Sequence, residues 1–382
     1  MIETTMRYNE QKHSIPSVFI IILNWNGWKD TIECLESIQQ LDYDNYRIVI
    51  VDNGSTNDSW IHLNAWACGE LHISGRYTKY RPENKPVASV IYDRNTAEAG
   101  GVAEKERLLE TLPSAKRMVL IKSVENLGFA EGNNVAIRYA LKCHSDYIWL
   151  LNNDTTVLPD TLSKLISFMV NNMTWQGVTG QIRLYDQPTH VWNCGGYLKW
   201  YGVRKYSYAD TNIAHVPQDG FGRISFITGC APLFRSQLFK KVGLLSNRYF
   251  FGTEDIEFSQ RLQKAGQAIA CVYSAIIYHK VGRSTNENSK KATPGMIYYH
   301  YLGTFINMRY YWPKQIWHIW RILYIPYIFC MVRLRYKFTI KMICIIIRAL
   351  LHDSMILDKI DRDIFEDAKK EKFVKRYDFK VL

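Results

Sequence analysis

The eight cysteines of this 382-residue chain are scattered, with no CxxC pair and no histidines at zinc-finger spacing. That argues against a disulfide framework and a structural zinc site, and leaves them as reduced, mostly buried small hydrophobes. No apolar run reaches the roughly 18 residues a spanning helix needs. Ile322 to Val332 is purely apolar, but it is too short to cross a bilayer and contains Pro326. The opening MIETTMRYNEQKHS is too polar and acidic for a signal peptide, so the chain is expected to stay in the cytoplasm, with residues 1–16 as a tail. The GxGxxG that a dinucleotide-binding oxidoreductase carries after its first strand is also absent. Acidic residues are missing from one long stretch, between Glu287 and Asp353.

With 47% apolar residues, the chain is long enough to bury a large core and carry an appendage. Its net charge of +12 is concentrated, since ten lysines and arginines fall in the acid-free stretch. That distribution argues against nucleic acid as a partner. The stretch also holds Trp312, Trp317, Trp320, Tyr324, Tyr327 and Phe329. Basic, aromatic and aliphatic residues together suit a helical region, residues 313–382, lying on an anionic membrane surface at the inner face of the cell membrane. The alternative is an appendage that packs its apolar face on the rest of the chain and leaves the charges in water. From Asp353 onward the chain is charged and helix-prone, and reads as solvated surface.

The N-terminal half alternates short β-branched runs with amphipathic stretches, the pattern of an α/β fold with a mostly parallel sheet flanked by helices. Strands are expected at Val18–Leu23, Arg47–Val51, Met118–Ile121 and Tyr147–Leu151. Residues 69–117 form a polar insertion with a hairpin or a short helix near Ala103–Leu112. A helix is expected from Glu254 to Ala265, stopping at Gly266. Ligands in such sheets gather beyond the carboxyl ends of the strands. Each run is followed there by polar residues: Asn24-Trp25-Asn26-Gly27, Asp52-Asn53-Gly54-Ser55, Asn126-Leu127-Gly128 and Asn152-Asn153-Asp154.

Five segments in order, VFIIILNWNGWKDTIECLESI, VIVDNGSTNDS, NLGFAEGNN, YIWLLNNDTTVLPDTL and FFGTEDIEFSQRLQKAG, resemble the inverting GT-A glycosyltransferases of family 2, closest to rhamnosyltransferase-like members. The likeness covers residues 17–312. It implies a sugar moved from a nucleotide-diphosphate donor, with dTDP-rhamnose the donor it points to, to a hydroxyl of a polysaccharide or lipid-linked glycan acceptor.

By that resemblance Asp52 accepts the N3–H of a uracil or thymine base, with Asn24 and Trp25 against it. A plain turn accounts for Asp52 equally, and packing for Trp25. Asn126, Gly128 and Asn133 open a helix whose loop amides suit an anion, or simply shape the turn. Asn152-Asn153-Asp154 stands where the family has its Asp-x-Asp metal motif. Only Asp154 brings a carboxylate, which implies weak affinity for Mn2+ or Mg2+ without donor. His279 is the second implied ligand, although a lone histidine at a strand end is often structural. Asp255 is the implied general base and Glu254 the alternative, while acids in a first helical turn are also favoured by the helix dipole. Arg283 follows on a loop that could close over the diphosphate. The missing first acid of the metal motif motivates a competing reading, a non-catalytic nucleotide-sugar-binding scaffold.

Overall fold

The computed structural model describes residues 15–281 and 293–378. Most of the proposed tail and Arg283 lie outside the described residues.

The chain begins as β1 (Val18–Asn24), α1 (Trp28–Ile38), β2 (Tyr46–Asn53) and α2 (Ser59–Cys68). Residues 69–117 carry β3 (Ala88–Asp93), α3 (Arg94–Glu98) and α4 (Ala103–Glu110). The helix near Ala103 is therefore present, but in place of a hairpin the segment adds a strand to the main sheet. Next come β4 (Arg117–Ser123), α5 (Gly128–Lys142), β5 (Tyr147–Leu150), β6 (Thr155–Val157), α6 (Thr161–Asn171) and β7 (Trp175–Leu184). Shorter strands follow: β8 (His190–Asn193), β9 (Gly196–Leu198), β10 (Arg204–Tyr206), β11 (Thr211–Asn212), β12 (Phe221–Ile224) and β13 (Leu233–Arg235). Then come α7 (Ser236–Val242), α8 (Glu254–Lys264) and the long β14 (Ala268–His279). The described chain ends in helices α9 (Pro294–Tyr311), α10 (Lys314–Leu323), α11 (Ile325–Tyr336), α12 (Ile340–Ile356), α13 (Arg362–Lys369) and α14 (Lys372–Tyr377).

Strands β3, β4, β2, β1 and β5 lie side by side in that order, all parallel. Every residue of β2 is buried, and β1 nearly so, because helices cover both faces. The parity of the strands sorts the two cores. Ile20, Ile22, Ile48, Ile50 and Trp149 pack under α1 and α6, whereas Ile21, Val49, Val51 and Ile148 pack under α5 and α8. The chain leaves β1 toward β2 and returns to its other side as β5. The crevice of the sheet therefore opens where the loops after these strands gather.

Beyond β5 the sheet turns antiparallel through β13, and β14 runs parallel to β7 with an irregularity, Val272 facing Gly180 and Ile276 facing Gln181. The end of β14 pairs with β6 so that His279 lies opposite Thr155.

A third core joins α9 to the C-terminal helices, around Leu302, Phe305, Trp317, Ile346 and Phe373. It begins before residue 313, since α9 belongs to it. The expectation of a solvated surface after Asp353 is corrected here. Ile360, Ala368 and Phe373 are buried, because the charges of α13 and α14 occupy only their outer faces. Part of the acid-free stretch does remain exposed, with Ile316, Ile319, Ile322 and Leu323 of α10 each more than half accessible.

Candidate active site

A cavity of about 350 Å³ opens at the carboxyl edge of the sheet. Of the residues singled out from sequence, Trp25, Asn126, Gly128, Asn152, Asn153, Asp154, Glu254, Asp255 and His279 line it. Asp154 precedes β6, and pairing of β6 with the end of β14 brings His279 beside it. His279 Nε2 lies 3.0 Å from Asp154 Oδ1, and Lys280 N donates to Asp154 O at 3.0 Å.

Both side chains are buried, at 4% and 5% exposure. Burial alone would lower the imidazole pKa, but the Asp154 carboxylate, with Cys230 adjoining, holds it well above the ordinary histidine value. Burial would raise Asp154, yet His279 and Lys280 keep it below the usual carboxylate range. His279 Nδ1 is buried without a hydrogen-bond partner among the described residues.

Two neighbouring ligand atoms on one octahedral ion, with bonds of about 2.1 Å, sit about 3 Å apart, so this pair fits a shared divalent cation. Among the described residues no third His, Cys, Asp or Glu completes a cluster, and further ligands would have to come from the substrate. The side chain of Asn152 has no internal hydrogen bond among the described residues and faces the cavity. Asn153 instead donates to Thr31 Oγ1 at 3.0 Å and to Gly27 O at 3.4 Å, and so ties itself to the first turn of α1 and the loop before it.

Asp52 adjoins the cavity without lining it. Its Oδ1 accepts from Asn24 Nδ2 at 3.0 Å and from Ser55 Oγ. Asn24 is fully buried, and its own Oδ1 accepts from Thr31 Oγ1 at 2.8 Å. Its amide is thus engaged with Asp52 and Ser55, and Asn24 does not line the cavity. Asn133 does not reach the cavity either. It is 2% exposed on the inner side of α5 and donates to Phe129 O one turn back, at 2.8 Å. Asn126 and Gly128 are knitted to β2 through Asn53, which donates to Asn126 Oδ1 at 3.0 Å and to Gly128 O at 3.1 Å. Gly128 has φ +80°, and a Cβ there would meet Phe250 O at 2.5 Å, so this position requires glycine.

On the opposite wall, α8 begins at Glu254-Asp255. Glu254 is 5% exposed, and its Oε2 accepts from Thr253 N at 3.0 Å. Asp255 Oδ1 accepts from Ile256 N at 2.8 Å. Burial, with the neighbouring Asp255 charge, pushes Glu254 up to about 8. Burial also raises Asp255, against the pull of Arg204, whose Nη1 is 3.9 Å from Asp255 Oδ1.

Sequence reasoning missed Arg204, Tyr206, Trp192, Cys230, Phe250, Phe251 and Phe365, all on the cavity wall. Arg204 and Tyr206 arrive on β10, and Phe365 comes from α13, tilted against Phe250 and edge-on to Phe251 and Tyr299.

Residues 17–84 match the sequence profile described as Glycosyl transferase family 2, and residues 87–293 that described as Glycosyltransferase like family 2. The chain belongs to glycosyltransferase family 2. The two matched stretches meet near β3 and between them take in nearly all of residues 69–117. The mostly parallel sheet, its flanking helices and the C-terminal helices agree with the GT-A arrangement expected of a family 2 member.

Among solved structures, a mannosyltransferase from Pyrobaculum calidifontis in complex with GDP-Man and Mn2+ shares 13% identity over 94% of this chain and 85% of its own, with a TM-score of 0.49. S. aureus TarS 1-349 shares 12% identity over 94% and 89%, with a TM-score of 0.46. GalNAc-T7 with UDP, GalNAc and Mn2+ shares 12% over 77% of this chain, with a TM-score of 0.48, and the match spans only 48% of its own length. Likenesses this distant identify neither donor nor acceptor. No curated protein matches the chain.

Proposed function

We propose that this family 2 chain is an inverting, metal-assisted glycosyltransferase that moves a sugar from a nucleotide diphosphate to a hydroxyl of a polysaccharide or lipid-linked acceptor. The observation that carries this reading is the sharing of one cavity by the Asp154–His279 pair and Asp255. Single displacement needs its leaving-group support and its base around one substrate. The cavity volume is also within the range of small-molecule sites.

In that reaction the acceptor oxygen bonds to the anomeric carbon as the bond from that carbon to the diphosphate oxygen breaks. Asp255 takes the hydroxyl proton, the nucleoside diphosphate departs, and configuration inverts. Glu254, its proton retained to about pH 8, is a poor base at neutrality. Asp154 and His279 would hold Mn2+ or Mg2+, with the imidazole favouring manganese, and the cation supplies charge neutralisation for the departing diphosphate. Asp52, fixed by Asn24 and Ser55, offers its free carboxylate oxygen to the N3–H of a uracil or thymine base. The resemblance of the five motifs supports dTDP-rhamnose as the donor. The exposed isoleucines of α10 beside Lys314 and Arg321 support a peripheral seat on the inner, anionic face of the membrane.

The test is a panel of nucleotide sugars scored by thermal stabilisation with and without Mn2+, followed by release of nucleoside diphosphate. Donor at a hundred times its Kd stabilises by about 2.7 kcal/mol. A chain that no nucleotide sugar stabilises, and that consumes none with either metal, is not this enzyme.

A further inference from the structure

Two carboxyl groups stand next to each other at the start of α8, both facing the same cavity, and only one can serve as the base of a single displacement. Their surroundings differ. Glu254 turns its oxygen back to Thr253 N at 3.0 Å, and the Tyr299 hydroxyl of α9, which accepts from Phe251 N at 3.2 Å, is near enough to feel its charge. Asp255 faces the β9–β10 hairpin, where Arg204 Nη1 stands 3.9 Å from its Oδ1.

Arg204 is an unusual guanidinium for a cavity wall. Its plane sits 5.4 Å from the Tyr206 ring and 5.8 Å from the Phe226 ring, which fix its direction. Its side chain is only 27% exposed, and it donates no hydrogen bond within 3.5 Å among the described residues. Its charge therefore remains available, directed at Asp255, at a distance that leaves the carboxylate free to receive a proton.

We propose that Arg204 is a positioning residue that makes Asp255, and not Glu254, the carboxylate that takes the acceptor's proton. This rests on the transferase reading above. An opposite charge at this range favours the ionised form of the carboxylate it faces. With the negative charge settled on Asp255, the adjacent and more deeply buried Glu254 keeps its proton, because two neighbouring carboxylates resist ionising together. The other groups facing the pair leave this division intact. Tyr206 stays neutral, its pKa raised by burial, as does that of Tyr299. His300 on α9, which faces Arg204, is held at about 4 by the surrounding protein and by that cation, so it adds no charge near neutrality.

The experiment is the pH profile of nucleoside diphosphate release from a donor that the wild-type chain consumes, in wild type, Arg204→Gln and Arg204→Lys. The expected result is an acidic limb about one unit higher in Arg204→Gln. That is a loss approaching tenfold on the acidic side of the wild-type limb that vanishes above the limb of the variant, with recovery in Arg204→Lys, which keeps the charge. In an Asp255→Asn background, Arg204→Gln is expected to cause no further loss, since its target is gone. Should the glutamine variant fail to fold, Arg204→Met, which fills the same space between the rings, takes its place. An unmoved acidic limb, or an equal loss with and without Asp255, overturns the assignment. A wild-type chain that consumes no nucleotide sugar at any pH instead overturns the transferase reading itself.

Discussion

Replacing Asp255 with asparagine is the sharpest single perturbation of the proposed chemistry. The substitution keeps the shape of the side chain and the acceptor for Ile256 N at 2.8 Å, so the first turn of α8 is expected to survive. It removes the charge facing Arg204, but at 3.9 Å, with both groups partly exposed, that pair contributes little to folding. The loss therefore falls on the reaction. Removing a general base costs about 10²–10⁴ in rate, or about 3–5 kcal/mol of barrier. Asp52, Asp154 and His279 are untouched, so donor affinity should remain within about threefold of wild type. The assay is steady-state release of nucleoside diphosphate, with donor Kd from thermal stabilisation or calorimetry on the same preparation. Turnover above about a tenth of wild type, or a larger loss in Glu254→Gln than in Asp255→Asn, would refute the choice of base.

Stripping divalent metal with a chelator should abolish donor turnover, with recovery on adding Mn2+, and His279→Ala should weaken the Mn2+-dependent part of donor binding by about 10-fold or more, read by calorimetry. Glu254 has a folded-state pKa raised from 4.5 to about 8, so the stability linked to its proton is complete below about pH 4.5 and is lost as pH rises through 8. Melting temperatures across that window should fall more steeply in wild type than in Glu254→Gln. Phe365→Ala, far from the family motifs in sequence, should lower turnover measurably and destabilise by about 3 kcal/mol, followed by denaturant unfolding. Ile316→Glu with Ile319→Glu should reduce sedimentation with anionic vesicles without altering donor turnover in detergent-free solution. Equal vesicle binding by wild type and variant would remove α10 as the contact.

The parallel core was legible because its strands are buried on both faces, so that FIII and IVIV stand out against any helical period. Strand β3 was not legible. It is an edge strand with mostly exposed residues, and its ASVIYD lacks both a continuous apolar run and a clean alternation. Helices α13 and α14 were misread because their charges outnumber the few residues, Ile364, Phe365, Ala368 and Phe373, that face the third core. Motif residues after β1, β4 and β5 and at the start of α8 converged on one cavity because the ends of these elements gather at the carboxyl edge of the sheet. Asn24 and Asn133 share those motifs, but their amides are taken by neighbours, and no pattern in the chain announces that. Arg204 and Phe365 reach the wall only through the hairpin and α13, and so through contacts between distant segments.

The irregularity in β14 carries a consequence for how tolerant the cation pair is to change. From Ile276 onward the ladder to β7 is regular, and with the pairing to β6 it sets which face His279 presents opposite Thr155. A strand swaps faces with every residue gained or lost. Slipping that last ladder by one residue would turn the imidazole away from Asp154 and put Tyr278 or Lys280 in its place. The site is thus tuned by counting: residues 273–275 must take up any length change upstream, because the four residues that follow leave no slack before the histidine reaches the cleft.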